Sequence, residues 1–138
     1  TRWCGQLSEN AKLIGHRNEL PEMNHNEIVG WSGAQPLAGS SRAVFLRDAG
    51  DHPRTARRAE LTAEAITRAG AEWRSVFGTG KSKLARLLSL VVLGDFVSFY
   101  LAMLRGVDPT PVEPIDRLKA KLAEEPAAPK ETGKREAA

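Results

Sequence analysis

A continuous apolar run from Leu84 to Leu104 constrains the fold of this chain more than any other feature. Its apolar residues occupy almost every face of the helix that they would form, so the helix needs partners on more than one side. The run is nearly long enough to cross a bilayer, but Arg86, Gly94 and Asp95 interrupt it, and a central Asp costs roughly 2.5–3.5 kcal/mol in a membrane. The pattern therefore predicts a helix near Lys83–Arg105 that is buried in a core or an interface rather than in a membrane.

Strand and helix signals alternate through the rest of the chain. The segments Arg42–Arg47 and Glu72–Phe77 have the β-branched, aromatic or alternating composition of short strands, and a helix over Arg54–Ala69 separates them. Strand, helix, strand and helix in this order predict a parallel sheet with crossover helices, followed by a last helix over Ile115–Ala123. Two strands are few for an α/β domain, and the chain begins without Met inside a helical pattern, so we expect that N-terminal strands are missing.

The residue pattern over Arg54–Ala69 also predicts which side of this helix faces solvent. Its arginines and glutamates form a mixed-charge face, which is typical of a solvated surface and not of a basic stripe for nucleic acid. The net charge of +3 agrees with that interpretation. We expect Leu61, Ala65 and Ile66 to face inward and Asp51 to cap the N-terminus.

Length and cysteine content limit the class of protein. A chain of 138 residues has the length of one domain and can bury a core. A lone cysteine, Cys4, excludes an internal disulfide framework and favours a reducing compartment, and no apolar signal core is present in the first twelve residues. We therefore expect a cytoplasmic protein.

One motif suggests a phosphate-binding loop but is incomplete. The sequence FGTGKSK at residues 77–83 contains a GK pair, and Ser75 stands where a phosphate loop needs a glycine. A tight turn from strand to helix explains the glycines without a nucleotide.

A carboxylate and a histidine near the N-terminus are the residues that point to chemistry. Glu9 and His25 are the minimal pair for moving a proton between adjacent carbons of a sugar. His25 lies between Asn24, Asn26 and Glu27, which could fix its tautomer. His16, His25 and His52 have no metal-ligand spacing. On residue chemistry alone, a structural role for His25 remains favoured.

Three blocks of sequence favour a catalytic role for His25 over a structural one. SENAK at residues 8–12, NHNEIVGW at residues 24–31 and LARLLSLVVLGDFVSFYLAMLRGVDPTPVEPIDRLK at residues 84–119 together closely resemble the C-terminal half of bifunctional phosphoglucose/phosphomannose isomerases. The resemblance covers roughly Arg2 to Leu122. It implies an α/β fold, the three-layer α/β/α sandwich with a parallel sheet of a sugar isomerase (SIS) domain, here N-terminally truncated. This partial domain would occupy residues 1–123, with a disordered tail over residues 124–138.

The resemblance also assigns roles to individual residues. Glu9 matches the base that takes the proton from C2 of the open-chain sugar phosphate and returns it to C1. His25 matches the histidine that assists ring opening in the active site of the neighbouring subunit, which implies a homodimer. Lys119 matches a second ring-opening group, and Lys121 is the alternative. The family acts in glycolysis and gluconeogenesis and requires neither a metal nor an organic cofactor.

One departure from the family concerns the substrate phosphate. Members of the family bind it mainly through Ser/Thr-rich loops of the first SIS domain, which has no counterpart in this chain. We therefore expect the chain alone to be inactive as an isomerase of glucose 6-phosphate or mannose 6-phosphate. The alternatives are a non-catalytic SIS module that binds a sugar phosphate and a module that serves only dimerisation, with neither nucleic acid nor membrane as partner.

Overall fold

A two-stranded parallel sheet organises the chain, of which this computed structural model describes residues 1–124. Strand β1 (Arg42–Arg47) pairs with β2 (Glu72–Phe77) in the register Arg42 to Glu72 through Arg47 to Phe77. Helix α4 (Pro53–Arg68) makes the crossover between the strands. Gly70, in the left-handed region at φ 91°, follows the helix and allows the chain to turn into β2. The predicted parallel α/β arrangement is confirmed at both strands.

The remaining helices lie on either side of this unit in sequence. Their bounds are α1 (Arg2–Glu9), α2 (Glu27–Ser32), α3 (Leu37–Ser40), α5 (Lys83–Leu104) and α6 (Glu113–Glu124). A 3₁₀ turn at Glu22–Asn24 precedes α2. Helix α5 ends one residue before the predicted Arg105, and α6 begins two residues before the predicted Ile115. The predicted tail lies outside the described residues except for Glu124, which ends α6.

The core lies between α4 and one face of the sheet. Ile66 is its largest buried side chain, and Ala38, Ala69 and Ala71 pack with it. Because side chains alternate along a strand, Ala43 and Phe45 face this core while Val44 and Leu46 face the opposite side. Partly buried side chains complete the cluster: Met23, Trp31, Ala34, Ala43 and Phe45.

Helix α4 faces the core with a different stripe from the predicted one. Ile66 is buried as expected, but Leu61 is 45% exposed, so its predicted inward orientation is wrong. The buried positions are spaced by three or four residues, which places them on one side of a helix and leaves Leu61 off that side. They are Ala59, Thr62, Ala63 and Ile66.

The predicted cap of α4 is also wrong. His52 is the N-cap residue, and its Nδ1 accepts a hydrogen bond from the Arg54 backbone N–H at 3.1 Å. Asp51 instead accepts from Arg47 Nε at 2.8 Å and thereby links the end of β1 to the turn. Arg47 has a cation side chain that competes successfully for this carboxylate.

Helix α5 packs against α1 through its smallest residues. Gly94, Ser98 and Ala102 are its buried positions, spaced by four. Gly94 is required here because a Cβ at that position would lie 2.5 Å from the indole Nε1 of Trp3. The indole N–H donates to the Leu90 carbonyl at 2.8 Å, so Trp3 lies directly across α5.

The bulky residues of α5 are mostly exposed, so the predicted burial of this helix is not met among the described residues. Within residues 1–124, α5 is also the one helix that has the length and composition to cross a membrane. We refer to its uncovered surface as the α5 apolar face. Its exposed members are Leu84, Leu87, Leu88, Val92, Leu93, Phe96, Val97, Phe99, Tyr100, Met103 and Leu104.

Candidate active site

Glu9 is the last residue of α1, and its side chain is exposed. Polar contacts with α5 hold the helix that carries it. Asp95 of α5 accepts hydrogen bonds from Arg2 Nη2 at 2.8 Å and from Gln6 at 2.9 Å, and Asn10 Nδ2 donates to Ser98 Oγ at 2.9 Å. The hydrogen bond from Arg2 is the main reason why the pKa of Asp95 is lowered. Glu9 therefore projects from a helix that is anchored before and after it.

Lys12 connects the Glu9 segment to the approach to α6. Its ammonium donates to the backbone carbonyl of Glu9 at 2.5 Å, to that of Pro111 at 2.7 Å and, at 3.4 Å, to that of Pro109. Lys12 has a φ of 55°, which is uncommon for a residue with a side chain and marks a sharp turn after α1. No role for Lys12 could be predicted from the sequence, because both carbonyl groups near α6 are distant from it along the chain.

His25 follows the 3₁₀ turn and is exposed. The flanking amides do not hydrogen-bond to its ring, contrary to the expectation that they fix its tautomer. Asn24 Nδ2 donates to Thr62 Oγ1 at 2.7 Å, and Asn26 Oδ1 accepts from the Glu27 backbone N–H at 2.6 Å as the cap of α2. The two amides thus fix the backbone on both sides of His25.

Glu27 belongs to a separate polar cluster with the loop that follows α1. Its carboxylate accepts from Asn18 at 2.7 Å and contacts His16 Nε2 at 2.9 Å. Burial opposes the charged form of Glu27, but the hydrogen bonds from Asn18 and His16 outweigh it and lower the pKa. This cluster joins the loop after Glu9 to the helix after His25.

Lys119 and the alternative Lys121 lie on α6, where both are exposed. No hydrogen bond or ion pair within residues 1–124 joins the side chains of Glu9, His25 and Lys119. The three residues are carried by different parts of the fold: α1 packs on α5, the segment of His25 packs on α4, and Lys119 is on α6. Two shallow depressions on the described surface lie along α6 and beside β2, and neither is lined by Glu9 or His25.

Two parallel strands joined by a crossover helix place the chain in the general class of α/β domains. More particularly, the chain belongs to the family of bacterial phospho-glucose isomerase C-terminal SIS domains, whose family model matches residues 1–122. That match confirms the resemblance and the fold class derived from the sequence.

Three similar proteins are bifunctional phosphoglucose/phosphomannose isomerases. The relative from Caldicellulosiruptor bescii is 46% identical over 123 residues, which is 89% of this chain and 36% of the relative. The relative from Aquifex aeolicus is 41% identical over 121 residues, covering 88% of this chain and 38% of the relative. The one from Thermoplasma volcanium is 38% identical over 125 residues, with coverages of 88% and 38%. The chain thus spans little more than a third of these relatives, and no solved structure matches it significantly.

Proposed function

We propose that the protein carrying this chain interconverts glucose 6-phosphate or mannose 6-phosphate with fructose 6-phosphate, by proton transfer through a cis-enediol. The observation that carries the proposal is the family match over residues 1–122, a span that contains Glu9, His25 and Lys119. The residue chemistry supports it, since an aldose–ketose interconversion needs a carboxylate base and acid–base groups at the ring oxygen.

Glu9 is the proposed base. It takes the proton from C2 of the open-chain aldose phosphate and returns it to C1, so that the carbonyl moves from C1 to C2. Anchoring of α1 to α5 supports this role, because a base must be held at a fixed distance from the carbon that it deprotonates. Proton transfer also needs a site that excludes water, and Glu9 is exposed in the described chain. The enclosure is therefore contributed by residues outside this chain.

His25 and Lys119 are the proposed ring-opening groups, with Lys121 as the alternative to Lys119. The imidazole of His25 is exposed, which supports a role in the active site of a neighbouring subunit. We propose a homodimer for that reason. The α5 apolar face supports the same proposal, because an exposed surface of this size and composition is typical of an interface. We further propose a cytoplasmic location, with residues 1–123 as part of the second SIS domain.

The α5 apolar face also favours a second candidate function, in which the chain serves only dimerisation. Exchange of the C2 hydrogen of the substrate with solvent distinguishes the two. An isomerase with Glu9 as base exchanges this hydrogen, whereas a dimerisation module or a sugar-phosphate sensor does not.

The test of the proposed base is Glu9→Gln in the complete gene product that carries this chain. Loss of a general base lowers the rate by about 10²–10⁴-fold, and we expect kcat to fall by that factor while sugar-phosphate binding is retained. Glu22→Gln, at an exposed glutamate of the 3₁₀ turn, is the matched control and should retain full turnover. Full turnover of Glu9→Gln would refute the assignment.

The test of incompleteness uses the isolated chain in a coupled assay for fructose 6-phosphate formation. We expect no turnover above background, because the proposed phosphate site lies outside the chain. Turnover at the rate of the complete protein would contradict this expectation.

A further inference from the structure

The hydroxyl of Thr62 makes two hydrogen bonds inside the core. Thr62 is 0% exposed, and its Oγ1 donates to the Arg58 carbonyl at 2.7 Å while it accepts from Asn24 Nδ2, also at 2.7 Å. A hydroxyl has one proton, and the carbonyl takes it, so the oxygen can act towards Asn24 only as an acceptor. The amide of Asn24 must therefore present its NH₂ group to Thr62.

The other end of the Asn24 amide is consistent with that orientation. Its Oδ1 lies 3.4 Å from Arg58 Nη1, which can act only as a donor. Asn24 is thus oriented by two groups of α4, one turn apart, and the residue that follows it is His25. Beyond His25, Asn26 is fixed as the cap of α2.

The position of His25 depends on these anchors. Within residues 1–124 the exposed ring makes no side-chain hydrogen bond, so the position of the imidazole follows that of the neighbouring backbone. Of the two anchors, the cap at Asn26 is local to α2. Asn24 ties the segment to α4, through its short hydrogen bond to Thr62, 38 residues away, and its longer contact with Arg58.

Thr62 is also an exception within its own helix. The other residues of the buried stripe of α4 are Ala59, Ala63 and Ile66, all apolar. Threonine is a weaker helix former than alanine, and its bond to the Arg58 carbonyl adds little to an already hydrogen-bonded helix. The acceptor that Thr62 provides to Asn24 is what a valine of the same shape would lack.

We propose that Thr62 is a positioning residue for the isomerisation, which acts through Asn24 to place His25. The proposal rests on the proposed function, since it takes His25 as the ring-opening group. Without the hydroxyl, the Asn24 amide loses its buried acceptor and the 3₁₀ turn is free to shift relative to α4.

The experiment compares Thr62→Val with Thr62→Ser in the complete gene product. Thr62→Val should lower kcat by about 10- to 100-fold with KM little changed, as expected when a reacting group is displaced by about 1 Å. Thr62→Ser keeps the acceptor and should retain kcat within about threefold. The rate at which the enzyme interconverts the two anomers of the substrate reports ring opening alone, and it should fall in Thr62→Val and persist in Glu9→Gln.

A double mutant separates positioning from a general structural role. If Thr62 acts through His25, then Thr62→Val together with His25→Ala is no slower than His25→Ala alone. If the double mutant is slower than His25→Ala by the factor that Thr62→Val costs on its own, the proposal is overturned. Asn24→Ala removes the other partner from a partly exposed turn, and it should reproduce the loss of kcat even if Thr62→Val fails to fold.

Failure of this inference differs from failure of the proposed function. If the wild-type protein isomerises the substrate and His25→Ala is impaired, but folded Thr62→Val and Asn24→Ala are both fully active, only the positioning role is refuted. If the wild-type protein has no isomerase activity, the proposed function is refuted. If the wild-type protein is active and His25→Ala is fully active, the ring-opening role of His25 is refuted, and the positioning role of Thr62 with it.

Discussion

Helices α4 and α5 differ in which of their side chains are buried. Helix α4 is polar overall and covers the core with one stripe, while its arginines face solvent. Helix α5 is apolar almost throughout, yet it buries only Gly94, Ser98 and Ala102 and leaves its large side chains exposed. Large side chains contribute most of the free energy of burial, so α4 is complete within this chain and α5 is not.

The comparison shows that the apolar pattern of a helix indicates how many packing surfaces the helix needs. A single apolar stripe, as on α4, needs one packing surface. A helix that is apolar on all sides needs several, and within residues 1–124 the main neighbour of α5 is α1, with β2 in contact to a lesser extent. The chain spans about a third of its relatives, which agrees with a helix that has about one of its packing surfaces filled.

The largest effect is expected at the core under α4. Ile66→Ala should lower the free energy of unfolding by about 2–4 kcal/mol, because it opens a cavity at a fully buried site. Chemical denaturation of the chain measures this loss. Ile66→Val is the graded control and should cost about 0.5–1.5 kcal/mol. Equal, small losses for both would mean that α4 is packed as loosely as α5.

The next largest loss of stability is expected at the contact between α5 and α1. Gly94→Ala forces a methyl group into the indole of Trp3 and should destabilise the chain by about 1–3 kcal/mol. Gly5→Ala, on α1, is the matched control: its Cβ would meet nothing within 4 Å, and it should stabilise the helix by about 0.5–1 kcal/mol. Thermal unfolding of the two variants gives the comparison. A neutral Gly94→Ala would show that α1 is not seated on α5.

A smaller loss of stability is expected at low pH, through the polar contacts of α5. Arg2 lowers the pKa of Asp95, and Arg86 does the same for Asp48, whose carboxylate accepts from Arg86 Nε at 2.6 Å. A carboxylate with a lowered folded pKa stabilises the fold above its unfolded pKa, near 4, and this contribution is lost as the pH falls through the folded pKa. Unfolding at a series of pH values should show the loss below about pH 4.

The variant Asp95→Asn tests which contacts are responsible. It cannot titrate, so it should be less stable than the wild type at neutral pH and should lose less stability on acidification. An acid profile identical to that of the wild type would remove Asp95 from the explanation. The α4 core has no such paired carboxylate among its buried residues, so Ile66→Ala should leave the shape of the acid profile unchanged.

The smallest effect is expected on the α5 apolar face in the isolated chain. Leu88 is 51% exposed, and Leu88→Ala should change the free energy of unfolding by no more than about 0.5 kcal/mol. In the complete gene product the same substitution should cost about 1.5–3 kcal/mol, the range for a leucine that becomes fully buried. An equally small effect in both would indicate that the face remains uncovered.

The sequence predicted some parts of this fold well and others poorly, for physical reasons. The bounds of β1 and β2 were predicted without error, because β-branched and aromatic runs end at clear turn residues. The capping by Asp51 was wrong because Arg47 binds that carboxylate, and the burial of Leu61 was wrong because the small residues of α4 face the core instead. Composition does not show which of two apolar stripes meets the sheet.

The candidate site was predictable only in part. Glu9 and His25 were singled out by their residue types, and the resemblance supplied Lys119 and the roles proposed for all three. The contacts that hold their segments could not be found from the sequence: Asn24 and Thr62 are 38 residues apart, and Lys12 and Pro111 are 99 residues apart. Each is a polar residue of ordinary type, and only the folded chain brings the partners together.

The hydrogen bond from Lys12 to the Pro111 carbonyl limits where α6 can lie relative to the end of α1. The tie holds the chain eight residues before Lys119, next to the segment of Glu9. Most residues between Pro111 and Lys119 are helical, so the rise of α6 sets the distance of Lys119 from this bond. Under the proposed function, the spacing of Lys119 and Glu9 therefore depends on Lys12, which has no proposed role in the chemistry.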